Sequence, residues 1–309
     1  MSEGARMNWR KRKAAAAAAA AQDPQSLPEF RYPDFICIGA QKAGTSWLDR
    51  NLRRHPKLWL PPMKELQFFS HLYIPQARNW TTRQRQEKGS KLLKRYLDKN
   101  AQEDWDYRRI ARLADIVGGP ITDDWYGRMF ALAPADSVCG EVTPDYSTLP
   151  PEGIEHVLRL SPNVRIIFSL RDPIARSWSH IRMTAQARDI TDVAVLERFA
   201  SQDNQVHRAN YPAIIESWRR HIPEDRFLVV FLDDIQAAPG AVLERLCGFL
   251  KVPYEEGFFP NAANPAHVGQ EMEMPSSVLE ILRDRFRPIY DDIAMLYPEY
   301  GAAWRARYY

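Results

Sequence analysis

The 309-residue chain contains no apolar run that approaches the ~20 residues a membrane-spanning helix needs. Cysteine is scarce: Cys37, Cys139 and Cys247 are the only three, and none forms a CxxC or any metal-ligand spacing. That excludes a disulfide scaffold and gives no sign of a metal cage. The thiols are expected to be free and buried, in a reducing, cytoplasmic setting. No internal repeat is present. Charge of one sign is also lacking: the net charge is +3, and residues 1–13 hold five cations against Glu3. The remainder is close to neutral, which argues against a basic nucleic-acid-binding domain.

What is present suits a soluble globular chain, with 45% hydrophobic and 26% charged residues. The start, "NWRKRKAAAAAAAAQ", follows its cations with eight alanines but has no leucine-rich segment of the kind signal peptides carry. Residues 1–28 are read as a flexible basic, alanine-rich leader. Pro24, Pro28 and Pro33 mark the passage into a domain expected to span 29–309.

"DFICIGA" (34–40) is a continuous apolar run and reads as a buried parallel strand. "SWLDRNLRRHP" (46–56) reads as a helix that stops at Pro56. A short strand is expected in "KLWL", and further strands in "SVCGEVTPDYS" (137–147), "VRIIFSLRDP" (164–173) and "RFLVVFLDDI" (226–235). Helices are expected at 88–99, 152–162, 174–187, 211–223 and 239–253, with a last one over 275–298 broken at Pro288. Residues 76–130 are the least legible. The alternation predicts an α/β, phosphate-loop-like three-layer fold, with a central, mainly parallel sheet of four or five strands flanked by helices.

Two stretches carry chemistry. In "GAQKAGTS" (39–46), Gly39 and Gly44 have phosphate-loop spacing and Ser46 stands where a metal-binding hydroxyl would be. Thr45 takes the place of the nucleotide-triphosphate lysine, while Lys42 lies inside the loop. Backbone N–H groups and a helix start there can still hold an anion. In "SLRDPIARSWSHIRM" (169–183), Arg171 ends a strand and Ser179 follows eight residues later. A guanidinium fork and a hydroxyl can hold one further phosphate. Pairing of Arg171 with Asp172 is the plainer alternative. "FLVVFLDD" (227–234) ends in acids, which are either a metal-binding strand end or a solvated one.

Together, "GAQKAGTSWL" and "LRDPIARSWSHI" resemble the sulfotransferases that use 3′-phosphoadenosine 5′-phosphosulfate (PAPS). The resemblance implies that Gln41, Lys42, Ala43, Gly44, Thr45, Ser46 and Trp47 grip the 5′-phosphosulfate, and that Arg171 and Ser179 grip the 3′-phosphate. It also implies that Lys42 neutralises the phosphate that leaves, as adenosine 3′,5′-bisphosphate, without a metal. "PPMKELQFFS" and "CGEVTPDYS" are similar to segments of the glycan branch, the heparan sulfate N- and 3-O-sulfotransferases. There the glutamate is the base, which makes Glu65 the expected base here, with Lys64, Asp145 and Tyr146 beside the acceptor. The expected partners are the donor and a glycan hydroxyl, or less readily an amine. Two positions depart from the pattern. Val142 stands where the glycan enzymes carry a lysine, and "FFPNAANPAHVGQEMEMPSS" (258–277) shows no Lys-Gly-Arg loop. The competing readings are a phosphate-loop nucleotide kinase, which would need magnesium and ATP, and a catalytically inactive adenine-nucleotide-binding module. His71, His180 and His267 show no metal-ligand spacing and are read as core or solvated histidines.

Overall fold

Every residue of strand β1 (Phe35–Gly39) is buried, because both faces of the sheet are covered. Alternate side chains serve opposite cores. Phe35 and Cys37 pack on one face and Ile36 and Ile38 on the other. This two-sided burial accounts for the unbroken apolar runs in the sequence. The computed structural model describes residues 30–266 and 272–309; the expected leader and His267 lie outside them.

Strand β2 is Leu58–Trp59, β3 Val138–Val142, β4 Arg165–Leu170 and β5 Phe227–Phe231. They form one five-stranded sheet in the order β2-β3-β1-β4-β5. Every pairing is parallel. β1 lies between β3 and β4, so the chain crosses to either side of it. Ligands of such sheets bind at that switch point, beyond the carboxyl ends of the strands.

Nine helices matter for the site and its frame: α1 (Thr45–Leu52), α2 (Phe68–Tyr73), α3 (Arg78–Lys99), α4 (Tyr107–Gly118), α5 (Pro173–Gln186), α6 (Tyr211–Arg219), α7 (Pro239–Leu250), α8 (Ser276–Leu296) and α9 (Pro298–Arg305). Helices α1 and α7 cover one face through Trp47, Leu48, Leu52, Leu243 and Leu246. The others build the larger core on the opposite face. None of the described helices is long and apolar enough to cross a membrane.

Three local expectations are corrected. The helix expected at 88–99 begins ten residues earlier, at Arg78, and pairs with α4. Its exposed face is highly polar, so its periodicity is weak. Pro288 does not break the last helix, which runs through it from Ser276 to Leu296. Phe286, Ile289, Tyr290 and Ile293 are buried on either side of the proline, and that packing holds the axis together. Finally, β5 ends at Phe231, and Asp233 and Asp234 belong to a short helix, Leu232–Ala237.

The three cysteines are free and buried, as the sequence suggests. Burial pushes the Cys37 and Cys139 thiols up to about 12 and that of Cys247 up to about 11. They are protonated, inert parts of the core.

Candidate active site

The loop between β1 and α1 is shaped for an anion. Gly44, at the N-cap of α1, has φ 88°, and no side chain caps this helix start. A Cβ on Gly44 would approach Leu232 Cδ1 to 3.0 Å, so glycine answers both the backbone sign and the space. The first amides of α1 have no intrahelical acceptor and lie at the positive end of the helix dipole. Lys42 also lies in the left-handed region, at φ 71°. The carbonyl oxygens of the loop are tied elsewhere. Ser169 Oγ, on β4, donates to the Ala43 carbonyl at 2.5 Å, and Arg171 Nη1 donates to the Lys42 carbonyl at 3.1 Å.

Arg171 therefore does not pair with Asp172. Asp172 caps α5 by accepting from the Ala175 amide at 2.8 Å, and it accepts from the Tyr290 hydroxyl at 3.0 Å. Burial pushes its carboxyl up to about 6. The Arg171 carbonyl is held by the Tyr211 hydroxyl of α6 at 2.8 Å. Both ends of Arg171 are thus fixed beside the loop.

Helix α5 presents a stripe at i, i+3, i+4 and i+7: Arg176, Ser179, His180 and Met183. Arg176 bonds Gln41, and the Lys42 ammonium lies 3.5 Å from Met183 Sδ. Ser179 is buried between them on that stripe. The surroundings are strongly cationic. Burial lowers the pKa of Lys42 from the usual lysine range, and Arg171, Arg182, Arg176 and Lys64 add to the effect. His180 falls to about 4, first by burial and then because Arg176 and Arg208 stand near it. It is neutral at physiological pH, with Gln205 Nε2 3.2 Å from its Nδ1.

Glu65 reaches this region from the other side. Its amide donates to the Val142 carbonyl at 3.2 Å, and Leu66, Phe68 and Phe69 anchor the segment in the core. Phe68 stacks on Tyr126 with ring centroids 4.5 Å apart. Glu65 itself has φ 64°, a strained conformation for a non-glycine residue. Among the described residues its carboxylate has three partners: Lys64 Nζ at 3.3 Å, Lys88 Nζ at 3.3 Å and Gln84 Nε2 at 3.0 Å. Lys64 also donates to Ser46 Oγ at 3.1 Å, which links the carboxylate to the phosphate loop. Val142 turns its side chain into the core, and the second cation beside Glu65 comes from α3 instead.

Asp145 is nearly buried, accepts from Gln67 Nε2 at 2.8 Å and is ion-paired with Arg208. Tyr146 is fully buried. It packs edge-on against Phe69, and its phenol faces Glu141 without closing a hydrogen bond. The structure thus keeps it inside the core. Trp47, also expected at the donor site, is buried and donates from Nε1 to the Ala262 carbonyl at 2.7 Å. With Arg50, which donates to the Pro265 carbonyl at 3.1 Å, it straps the segment after α7 across α1. His71 is within 3.0 Å of Thr81 Oγ1 through its Nδ1.

The acids after β5 have other employment. Asp233 accepts from Trp304 Nε1 at 3.1 Å and from Arg307 Nη2 at 2.7 Å, and Asp234 accepts from the Tyr300 hydroxyl at 2.7 Å. They fasten α9 and the residues after it to the short helix Leu232–Ala237.

Sequence reasoning missed Gln84, Lys88, Arg176, Gln205 and Arg208. For Arg176 a signal existed, since it shares one helix face with Ser179 and His180. For Gln84 and Lys88 there was none, because their contact with Glu65 is tertiary.

A helix start without a side-chain cap, a glycine-shaped loop and clustered cations at a sheet switch point belong to a phosphate-loop-like α/β fold. The family follows from comparison of the sequence: the profile of the sulfotransferase family matches residues 33–256, and the chain belongs to that family. Its enzyme class is accordingly that of a sulfotransferase. Among solved structures, a sulfotransferase from Alicyclobacillus acidocaldarius aligns over 89% of this chain and 99% of its own, with 21% identity and a TM-score of 0.61. The sulfotransferase domain of the Synechococcus PCC 7002 olefin synthase aligns over 85% and 98%, with 19% identity and a TM-score of 0.50. These likenesses are of fold. No curated protein sequence matches the chain.

Proposed function

We propose that this protein transfers a sulfuryl group from PAPS to an acceptor hydroxyl. The observation that carries the reading is the Lys64 ammonium, which touches both Ser46 of the anion loop and the Glu65 carboxylate. It joins a phosphate-type site to a candidate base through one side chain.

In this reading Gln41 to Ser46 and the start of α1 receive the 5′-phosphosulfate, and Arg171 and Ser179 receive the 3′-phosphate. The cation excess around Lys42 fits a ligand with several negative charges. The acceptor oxygen attacks sulfur as Glu65 takes its proton. The new O–S bond forms as the bond from sulfur to the 5′-phosphate oxygen breaks. Lys42 and the loop amides receive the charge that gathers on that oxygen. The product nucleotide is adenosine 3′,5′-bisphosphate.

A carbohydrate is the acceptor class we favour, on the resemblance of the Glu65 segment to the glycan branch. Asp145 and Lys64 are its proposed contacts. The free, buried thiols suit a reducing compartment such as the cytoplasm. The test is calorimetric titration with adenosine 3′,5′-bisphosphate, then a screen of sugars and glycoconjugates with sulfur-labelled PAPS. Micromolar binding and label transfer are expected. A protein that ignores the nucleotide would overturn the proposal.

A further inference from the structure

Arg176 is fully buried, yet among the described residues no carboxylate forms an ion pair with it. Its guanidinium makes three hydrogen bonds, all to neutral oxygens. Nε donates to the Gln41 carbonyl at 3.1 Å, Nη2 to Gln41 Oε1 at 3.1 Å and Nη1 to Gln205 Oε1 at 2.9 Å. Asp145, the nearby acid, is already paired with Arg208. Burial brings the guanidinium down to about 10, which still leaves it charged at neutral pH.

Such a group is costly. A buried charge without an opposite partner destabilises a fold. What the charge accomplishes here is local. Arg176 holds the Gln41 carbonyl while Arg171 holds the next one, at Lys42. A peptide's C=O and N–H point in opposite directions, so fixing the Gln41 carbonyl also aims the Lys42 amide. The same fixation supports Lys42 in its left-handed conformation.

We infer that Arg176 is a positioning residue of the phosphate loop, and that its charge is balanced by the anionic ligand rather than by the protein. The inference rests on the donor reading above. Loop geometry and anion binding are then one coupled event. The cost of the buried cation in the free protein is recovered when the phosphate arrives. Arg176 acts through Gln41 on the 5′ side of the site, so its loss is felt by any adenosine nucleotide with a 5′-phosphate. Arg171 differs, since it is assigned to the 3′-phosphate.

The experiment compares wild type, Arg176→Met, Arg176→Lys and Arg171→Ala. Each is titrated calorimetrically with adenosine 3′,5′-bisphosphate and with AMP, and each is melted without ligand. Arg176→Met removes the buried charge but leaves the Gln41 and Gln205 oxygens without their donor, and the melt checks that it folds. It should bind both nucleotides at least about tenfold more weakly, in the same proportion, as expected for charge-assisted hydrogen bonds that position the loop. Arg176→Lys keeps the charge but cannot fork to both Gln41 oxygens, so it recovers only part of the affinity. Arg171→Ala loses much more affinity for the bisphosphate than for AMP. Wild-type affinity in Arg176→Met, or a loss confined to the bisphosphate, would overturn the inference. Should that variant not fold, wild-type affinity in Arg176→Lys would overturn it equally. A wild-type protein that binds neither nucleotide would instead refute the donor reading, and this inference with it.

Discussion

Lys64 donates a hydrogen bond to Ser46 Oγ at 3.1 Å, across eighteen positions of sequence. The contact ties the segment that carries Glu65 to the first turn of α1. The same ammonium lies 3.3 Å from the Glu65 carboxylate. Lys88 and Gln84 hold the second carboxylate oxygen from α3.

Glu65→Gln keeps the size of the side chain and much of this hydrogen bonding, but cannot accept a proton. Folded protein with near-normal affinity for adenosine 3′,5′-bisphosphate is expected. Transfer should fall by about 10²–10⁴, the usual value of general-base help. Wild-type turnover per folded molecule would send the search for a base to Glu141 or Asp145.

Lys42→Ala should act on the chemical step, because charge gathers on the leaving phosphate as the S–O bond breaks. Loss of one preorganised donor costs on the order of 10²–10³ in kcat. Single-turnover rates should drop more than the affinity for product. An unchanged rate would leave Lys42 as a binding residue only.

Arg171→Ala should cost about 1.5–3 kcal/mol in binding adenosine 3′,5′-bisphosphate, the value of charge-assisted hydrogen bonds. AMP lacks the 3′-phosphate and should be much less affected. Equal losses for the two nucleotides, measured by calorimetry, would take Arg171 out of its assigned role.

Chelation should leave transfer intact. The loop has Thr45 where a triphosphate-binding lysine would stand, and Asp233 and Asp234 are committed to Trp304, Arg307 and Tyr300. Activity lost in EDTA and restored by magnesium would favour a nucleotide kinase.

Glu141 gives a pH signature in stability. Burial pushes its carboxyl from 4.5 up to about 7, although hydroxyls of Thr143 and Tyr126 bond to it and pull the other way. Between those values the folded protein holds a proton that the unfolded chain has released. This contribution to stability is full below 4.5 and is lost as pH rises through about 7. Glu141→Gln should remove that loss, on the order of 1–3 kcal/mol. Urea unfolding at pH 5 and pH 8 measures it. The variant should gain on wild type at the higher pH, and parallel pH dependence in the two proteins would contradict the assignment.

The sequence by itself determined the β1–loop–α1 and β4–α5 units. Each is a contiguous strand–turn–helix whose glycines, apolar runs and proline act on their own neighbours. Gly44 needs its positive φ wherever the chain ends up, and Pro173 opens a helix by local geometry. Burial on both sheet faces made β1, β4 and β5 legible as unbroken apolar runs. Tertiary structure alone decided which charges meet. Asp172 went to Tyr290 rather than Arg171, and Asp233 and Asp234 went to the C-terminal residues. Lys88 came from the least legible region to stand beside Glu65, and Arg176 was left buried without an ion-paired acid among the described residues. A charged side chain fits many partners with similar energy in water. Only packing, which removes the water and sets the distances, selects one of them.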